Sequence, residues 1–423
     1  MAYLLFLREN WRFIGFGLFM TMVSSFGQTF YVALYGADIR ADFNLSNGEF
    51  GLVFTAGSIL AAAALMWFGK FIDRVDLRLY TAATLAALFA GMLLLSQARS
   101  LWLFALAILV VRFCGQGLCY HIASTSMARY FPHDRGKALS LSGLGSASGE
   151  AILPAVTLML IVSIGWREAW LWTMLVAASL AMLLLPQFLK GHHERHRSYI
   201  ELLRKNASDE PVEKSWTRIQ VLNDPGFQAT MLLLLAFPYM TTGVLFHQAF
   251  IVAAKGWSIE LLGLGFVGFA VAQVLTSLVV GSLVDRAGAV MLVPLTCLPW
   301  ISAFVALLVS DSSRVVFVYL ALFGMGIGML QPILSAMLAE RYGVANLGSI
   351  RSMTTAAVVF SAAAAPATVG WLLDAGVSIE WLVVGFLGYL FPAGAVAHLV
   401  LKRERVFSSV CLATEAPKSA KPR

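Results

Sequence analysis

The sequence predicts an all-α membrane protein: twelve transmembrane helices arranged as two pseudo-symmetric six-helix bundles. Three observations lead there. Of the 423 residues, 59% are apolar and 13% charged, with a mean hydropathy of +0.79, against about 25% charged and 45–50% apolar in soluble domains. A soluble chain of this size has too little interior to hide that much apolar surface. The apolar residues also arrive in blocks near the ~20 that cross a bilayer at about 1.5 Å each. Finally, "GKFIDR" (69–74) and "GSLVDR" (281–286) share Gly-x-x-x-Asp-Arg at an offset of 212. The same offset pairs "ARY" (128–130) with "ERY" (340–342) and Gly136 with Gly348, as a duplicated six-helix unit would.

Taken in order, hydropathy places the spans at about 12–35, 48–69, 79–97, 102–127, 138–162, 168–189, 227–253, 261–284, 289–309, 315–338, 348–371 and 381–401. The start, "MAYLLFLRENWRF", sets charge behind a short apolar patch, the reverse of a signal peptide, and reads as a retained cytoplasmic terminus. The polar stretch 190–225 separates an N-terminal bundle (1–189) from a C-terminal one (226–402), with 403–423 expected as a disordered cytoplasmic tail. "NDP" at 223–225 reads as a helix start, with Asp224 as cap and Pro225 in the first turn. With both termini in the cytoplasm, 24 of the 30 Lys and Arg residues lie inside, 5 outside and one, Arg112, within the membrane. The positive-inside rule selects that orientation, in a plasma (inner) membrane.

Twelve spans, a long central loop and Gly-x-x-x-Asp-Arg after spans 2 and 8 together resemble the major facilitator superfamily. Gly69, Asp73, Arg74 and Arg78 fit the first copy of that family's loop pattern, and Gly281, Leu283, Asp285, Arg286 and Gly288 fit the second. "RFCGQG" (112–117) is similar to the family's intramembrane Arg-x-x-Gln-Gly pattern with the glutamine displaced by one. "GSASGEAILP" (145–154) puts Glu150 where the antiporter pattern has proline, and the surrounding run looks more like the monocarboxylate and oxalate/formate branches. The resemblance implies a secondary transporter that exposes a midplane site to each side in turn. It assigns conformational gating to Gly69, Asp73, Arg74, Gly281, Asp285 and Arg286.

Arg112 sits about ten residues, or roughly 15 Å, into span 4. An arginine at that depth faces a cavity or a partner. It either binds an anionic solute, since guanidinium stays charged and can fork onto a carboxylate, or it forms a structural pair with Glu150. Glu150 lies at similar depth on span 5, on a face with Ser142 and Ser146, and can carry a proton or pair with Arg112. Gln116 and Cys119 follow Arg112 at helical spacing, while His121 reads as a helix–helix hydrogen bonder. Ser24, Gln28, Tyr31 and Tyr35 form a stripe on span 1; His247, Gln248, Gln273 and Gln331 supply polar groups in the second half. Substrate contacts are expected from Arg112, Gln116, Gln28, Tyr31, His247 and Gln331. Glycines 143, 145, 149, 324, 326 and 328 are expected to allow close helix approach.

No phosphate loop, nucleophile elbow or zinc spacing occurs in a credible setting, so neither an enzyme nor a cofactor is expected. His192, His193 and His196 stand in a charged loop and are not expected to hold a metal. The excess of Lys and Arg is spread over loops and does not point to nucleic acid. The expected partners are a small solute, the lipid bilayer and protons as the coupling ion, for a monomer. The alternative is a proton-driven efflux pump for a metabolite or drug.

Overall fold

A bilayer offers backbone N–H and C=O groups no partner, so each apolar block satisfies its own as a helix. The computed structural model describes residues 2–131, 134–197, 216–343 and 347–415. We number the long helices only: α1 Ala2–Ser24, α2 Asn47–Phe68, α3 Leu77–Gln97, α4 Leu101–Tyr130, α5 Arg135–Ile164 and α6 Trp166–Phe188 in the first half. The second half has α7 Pro225–Phe246, α8 Glu260–Ala287, α9 Ala289–Val309, α10 Val315–Tyr342, α11 Leu347–Asp374 and α12 Ile379–Glu415. Eleven of them are long and apolar enough to cross a membrane. The twelfth is α1, whose first turns carry Arg8, Glu9 and Arg12 and which breaks after Ser24. One end of the bundle, here the near end, carries the start of α1, the end of α6, the start of α7 and the end of α12. The far end carries the connections at 44–46, 98–100, 165 and 375–378.

Helix ends follow capping chemistry. Ser46 accepts from the Glu49 N–H (3.1 Å) and Glu49 accepts from the Ser46 N–H (2.8 Å), a capping box at the start of α2. Asp76 accepts from the Arg78 N–H (2.8 Å) ahead of α3. Asp224 accepts from the Phe227 N–H (2.9 Å) with Pro225 in the first turn of α7, as "NDP" predicts. Gly288 and Gly343 stop α8 and α10 at φ +77°, a conformation other residues resist.

The first Gly-x-x-x-Asp-Arg copy forms a 3-10 segment, Gly69–Asp73, anchored from α4: His121 Nε2 lies 3.1 Å from the Gly69 carbonyl and Arg129 donates to that of Ile72 (3.2 Å). His121 is thus the helix–helix hydrogen bonder expected of it. In the second copy α8 runs through the pattern as far as Ala287. The side chains of Asp73, Asp285 and Gln331 lie outside the described residues.

The duplication reaches beyond its sequence signature. Past its break, the first span continues as Thr29–Leu34 and Gly36–Phe43, hinged at Tyr35. The offset of 212 maps Tyr35 onto His247, where α7 yields to the short helix Gln248–Ala254, and maps left-handed Asn44 (φ 52°) onto Gly256 (φ 64°). Within each half, small residues bring helices together. A Cβ on Gly145 would stand 1.9 Å from the Leu18 carbonyl, and one on Gly324 2.1 Å from that of Phe269. Gly143 departs from expectation: nothing lies within 4 Å of its Cβ position, because it faces away from α1.

Outward-facing side chains such as Trp102, Met159, Met182 and Leu278 are large and apolar, as lipid contact requires. α12 continues to Glu415, past the boundary at 402 that hydropathy suggests, since Lys402–Arg405 are good helix formers once the apolar run ends.

Candidate functional site

The site forms where the interrupted first span meets a widened turn of α4. α1 ends at Ser24; Ser25–Gly27 make one 3-10 turn, Gln28 is extended (φ −78°, ψ 153°), and the helix resumes at Thr29. Ser24 Oγ donates back to the Thr21 carbonyl (2.6 Å), a local bond that competes with helix propagation. Opposite, residues Arg112–Cys119 form a π-helical segment, a widened ladder often found at functional positions. The two backbones touch through Gly27 and Gly115. A Cβ on Gly27 would stand 2.4 Å from the Gln116 nitrogen, and one on Gly115 2.7 Å from the Gly27 nitrogen, so only glycine fits either place.

That approach delivers the Gly27 carbonyl to Arg112, which is 6% exposed. Nε donates to Ser58 Oγ (2.9 Å); Nη1 donates to the Gly27 carbonyl (2.8 Å) and to Thr29 Oγ1 (3.4 Å). The guanidinium carbon lies 4.5 Å from the Phe54 ring centroid, a cation–π contact worth about 0.5–2 kcal/mol. Every one of these partners is neutral. Among the described residues no acceptor stands on Nη2 and no carboxylate pairs with Arg112. The cation is therefore positioned but not neutralised, a costly state for a desolvated charge.

Glu150 approaches the same break from α5. Its neighbour Gly149 abuts Ser25, where a Cβ would stand 2.2 Å from Oγ. Glu150 Oε2, Ser25 Oγ and Ser142 Oγ are buried without hydrogen-bond partners. Arg112 thus meets the break at Gly27, the residue before Glu150 packs on it at Ser25, and no ion pair joins the two charged side chains.

Half-buried Gln28 and Gln116 also lie at this junction. Tyr31 packs on Phe26 of the break (ring centroids 5.2 Å) but is fully buried, its hydroxyl 2.9 Å from Tyr35 Oη and 3.3 Å from Thr157 Oγ1 and its ring edge-on to Trp170. Of the expected stripe, only Gln28 is half-buried, while Ser24, Tyr31 and Tyr35 are fully buried. Cys119, the last residue of the π turn, is also fully buried. His247 is buried at the far end, with Nε2 3.0 Å from the Pro366 carbonyl. Of the other polar candidates, Gln248 is fully buried with both amide atoms unpaired, and Gln273 has a buried, unpaired Oε1. Sequence reasoning missed Phe54, Ser58 and Thr29, whose types are ordinary and whose role comes only from tertiary contact. Among the described residues, no group of three or more His, Cys, Asp and Glu is placed to hold a metal.

Comparison with known proteins adds four findings. The family model described as Major Facilitator Superfamily matches residues 17–247 and again 228–422. A probable sulfoacetate transporter, SauU of Cupriavidus necator, is 28% identical over 171 residues, 37% of this chain and 36% of that protein; the match thus spans about a third of the relative's length. Among solved structures, a mutant of the nucleoside transporter NupG superposes with a TM-score of 0.69 at 14% identity, covering 92% of this chain and 99% of that one. A bacterial homologue of the human lysosomal transporter Spinster, in an inward-facing and occupied conformation, gives 0.63 at 14% identity over 95% and 97%.

Proposed function

Since the chain belongs to the major facilitator superfamily and is a secondary transporter, we propose that it moves a small anionic, carboxylate-bearing solute by alternating access, driven by protons or by exchange. The observation that carries this reading is Arg112: a buried guanidinium held by three neutral oxygens and one aromatic face, with no acceptor on Nη2 among the described residues. A solute carboxylate or sulfonate supplies the missing countercharge through forked, charge-assisted hydrogen bonds to a guanidinium whose desolvation cost is already met in the fold. The name of the Cupriavidus relative, a transporter of sulfoacetate, supports that solute class.

Gln28 and Gln116, at the same break, provide neutral donors beside the cation. Glu150 serves as the proton carrier on the other flank. Tyr31, His247 and Gln331 belong to the reading only as residues that a second conformation brings to the pathway. It includes both termini in the cytoplasm of a plasma-membrane protein, bundles at 1–189 and 226–402 joined by 190–225, a monomer, and near-end gating by the two Gly-x-x-x-Asp-Arg copies.

The test is a thermal-shift and vesicle-uptake series on the purified protein with sulfoacetate, other small carboxylates and uncharged analogues. An anion from this set should raise the melting temperature of wild type. Arg112→Ala should abolish that shift, and Arg112→Lys should keep only part of it, since lysine cannot fork. Transport that survives Arg112→Ala would instead favour a proton-driven efflux pump whose aromatic cavity needs no fixed charge.

A further inference from the structure

The two halves meet at the far end through two seams, and the internal repeat relates them. On α2, Gly51 faces α11: a Cβ there would stand 2.2 Å from the Pro366 carbonyl oxygen and 2.8 Å from the Ala367 nitrogen. On α8, Gly263 faces α5, where a Cβ would stand 2.8 Å from the Ala155 Cα. The offset of 212 carries Gly51 onto Gly263 and Ala155 onto Ala367. One glycine-on-alanine contact is thus used twice, once for each direction of approach.

The rims of the two seams differ. Asp374, the last residue of α11, accepts from the backbone N–H groups of Asn47 (3.0 Å) and Gly48 (2.7 Å) and from Asn47 Nδ2 (3.0 Å). Those are the opening N–H groups of α2, which have no partner within their own helix and sit at its positive pole. A carboxylate of one half therefore caps a helix of the other. Close packing surrounds the cap: a Cβ on Gly48 would stand 2.1 Å from Trp371 Cδ1, and one on Gly370 2.6 Å from the Asn47 carbonyl. Two turns deeper, Thr55 Oγ1 donates across the same seam to the Ala363 carbonyl (2.7 Å). At the twin seam the residue in Asp374's place is Val162, 69% exposed and unable to cap anything.

We propose that Asp374 is a far-end bolt: it holds the α2–α11 seam shut and must release α2 whenever that end opens, while the apolar α5–α8 seam rocks without a polar bond to break. The proposal rests on the alternating-access reading. Its test needs no solute. Arg99→Cys and Ser312→Cys, exposed far-end connections in opposite halves, carry spin labels in an otherwise cysteine-free full-length protein, and double electron–electron resonance reads their separation.

Wild type should favour the short distance. Asp374→Ala and Asn47→Asp, which sets a second carboxylate against Asp374, should each raise the open-to-closed ratio about five- to thirty-fold. Val162→Ala should leave it unchanged. Two distances in wild type, with the same ratio in both variants and a preserved melting profile, would overturn the bolt alone. A single distance in all proteins would overturn both the bolt and the alternating-access reading. If Asp374→Ala does not fold, Asn47→Asp decides, because it leaves α2 and its capping box intact.

Discussion

At Arg112 a permanent charge rests on a serine hydroxyl, a threonine hydroxyl, a glycine carbonyl and a phenyl face. Each is a weak ligand for a cation, and together they fix its direction while leaving its charge uncompensated. Glycines 27 and 115 make this possible, since any Cβ at either position would push the carbonyl away. Glu150 follows the glycine that packs on Ser25 of the same break and has a buried, unbonded Oε2. In the proposed cycle it holds a proton when solute occupies Arg112 and loses it when the site empties. Glu150→Gln mimics the protonated form permanently. It should retain solute binding and solute–solute exchange while proton-driven accumulation falls roughly tenfold or more, within the range of coupling between linked sites. Counterflow and pH-gradient uptake in vesicles measure the two separately; undiminished gradient-driven uptake would remove Glu150 from the coupling step.

Among the elements, those set by local chemistry were legible in the sequence and those set by distant contacts were not. The start of α7 was legible because an aspartate cap and a proline in the first turn act within four residues. The break after Ser24 and the π turn at Arg112–Cys119 were not, because both are set by contacts between residues far apart in sequence, such as Gly27 on Gly115. Arg112 stood out as a charge in an apolar run, but Ser58 and Gly27 reach it from other helices, 54 and 85 residues away.

The start of α7 also carries a pH prediction. Burial alone would raise the Asp224 carboxyl, but Arg341, Tyr342 and the Phe227 N–H bond it and hold it below the ordinary carboxylate range. The folded state thus binds this proton less readily than the unfolded one. The resulting stability is full above the unfolded value of about 4 and is lost as pH falls through the folded value. Asp224→Asn should cost roughly 1–3 kcal/mol at pH 7 and flatten the decline in melting temperature below about pH 4. Scanning fluorimetry across that range checks it; parallel acid slopes for mutant and wild type would exclude Asp224 as a source of the acid sensitivity.

Across the whole molecule, the repeat supplies two matching halves and the chemistry then breaks their equivalence. The offset of 212 maps Arg112 onto Gly324 and Glu150 onto Ala362, so both membrane charges belong to the first half. It likewise leaves Asp374 opposed by Val162, so the far end is bolted along one seam only. The near end carries its own acidic residues, Asp73 and Asp285, in the repeated loops, and the proposed gating places Asp73 there. If the halves rock as rigid bodies, the two ends share one equilibrium, and weakening either shifts it in opposite directions. Asp73→Asn should then populate the near-end-open state, Asp374→Ala the far-end-open state, and the double variant should return close to the wild-type ratio. Effects at sites this far apart add when they act on one equilibrium without touching each other. Spin-label distances recorded at both ends in the four proteins test this directly. If both single variants opened the same end, or the double variant opened the two ends at once, the two halves would not be moving as a single two-state rocker.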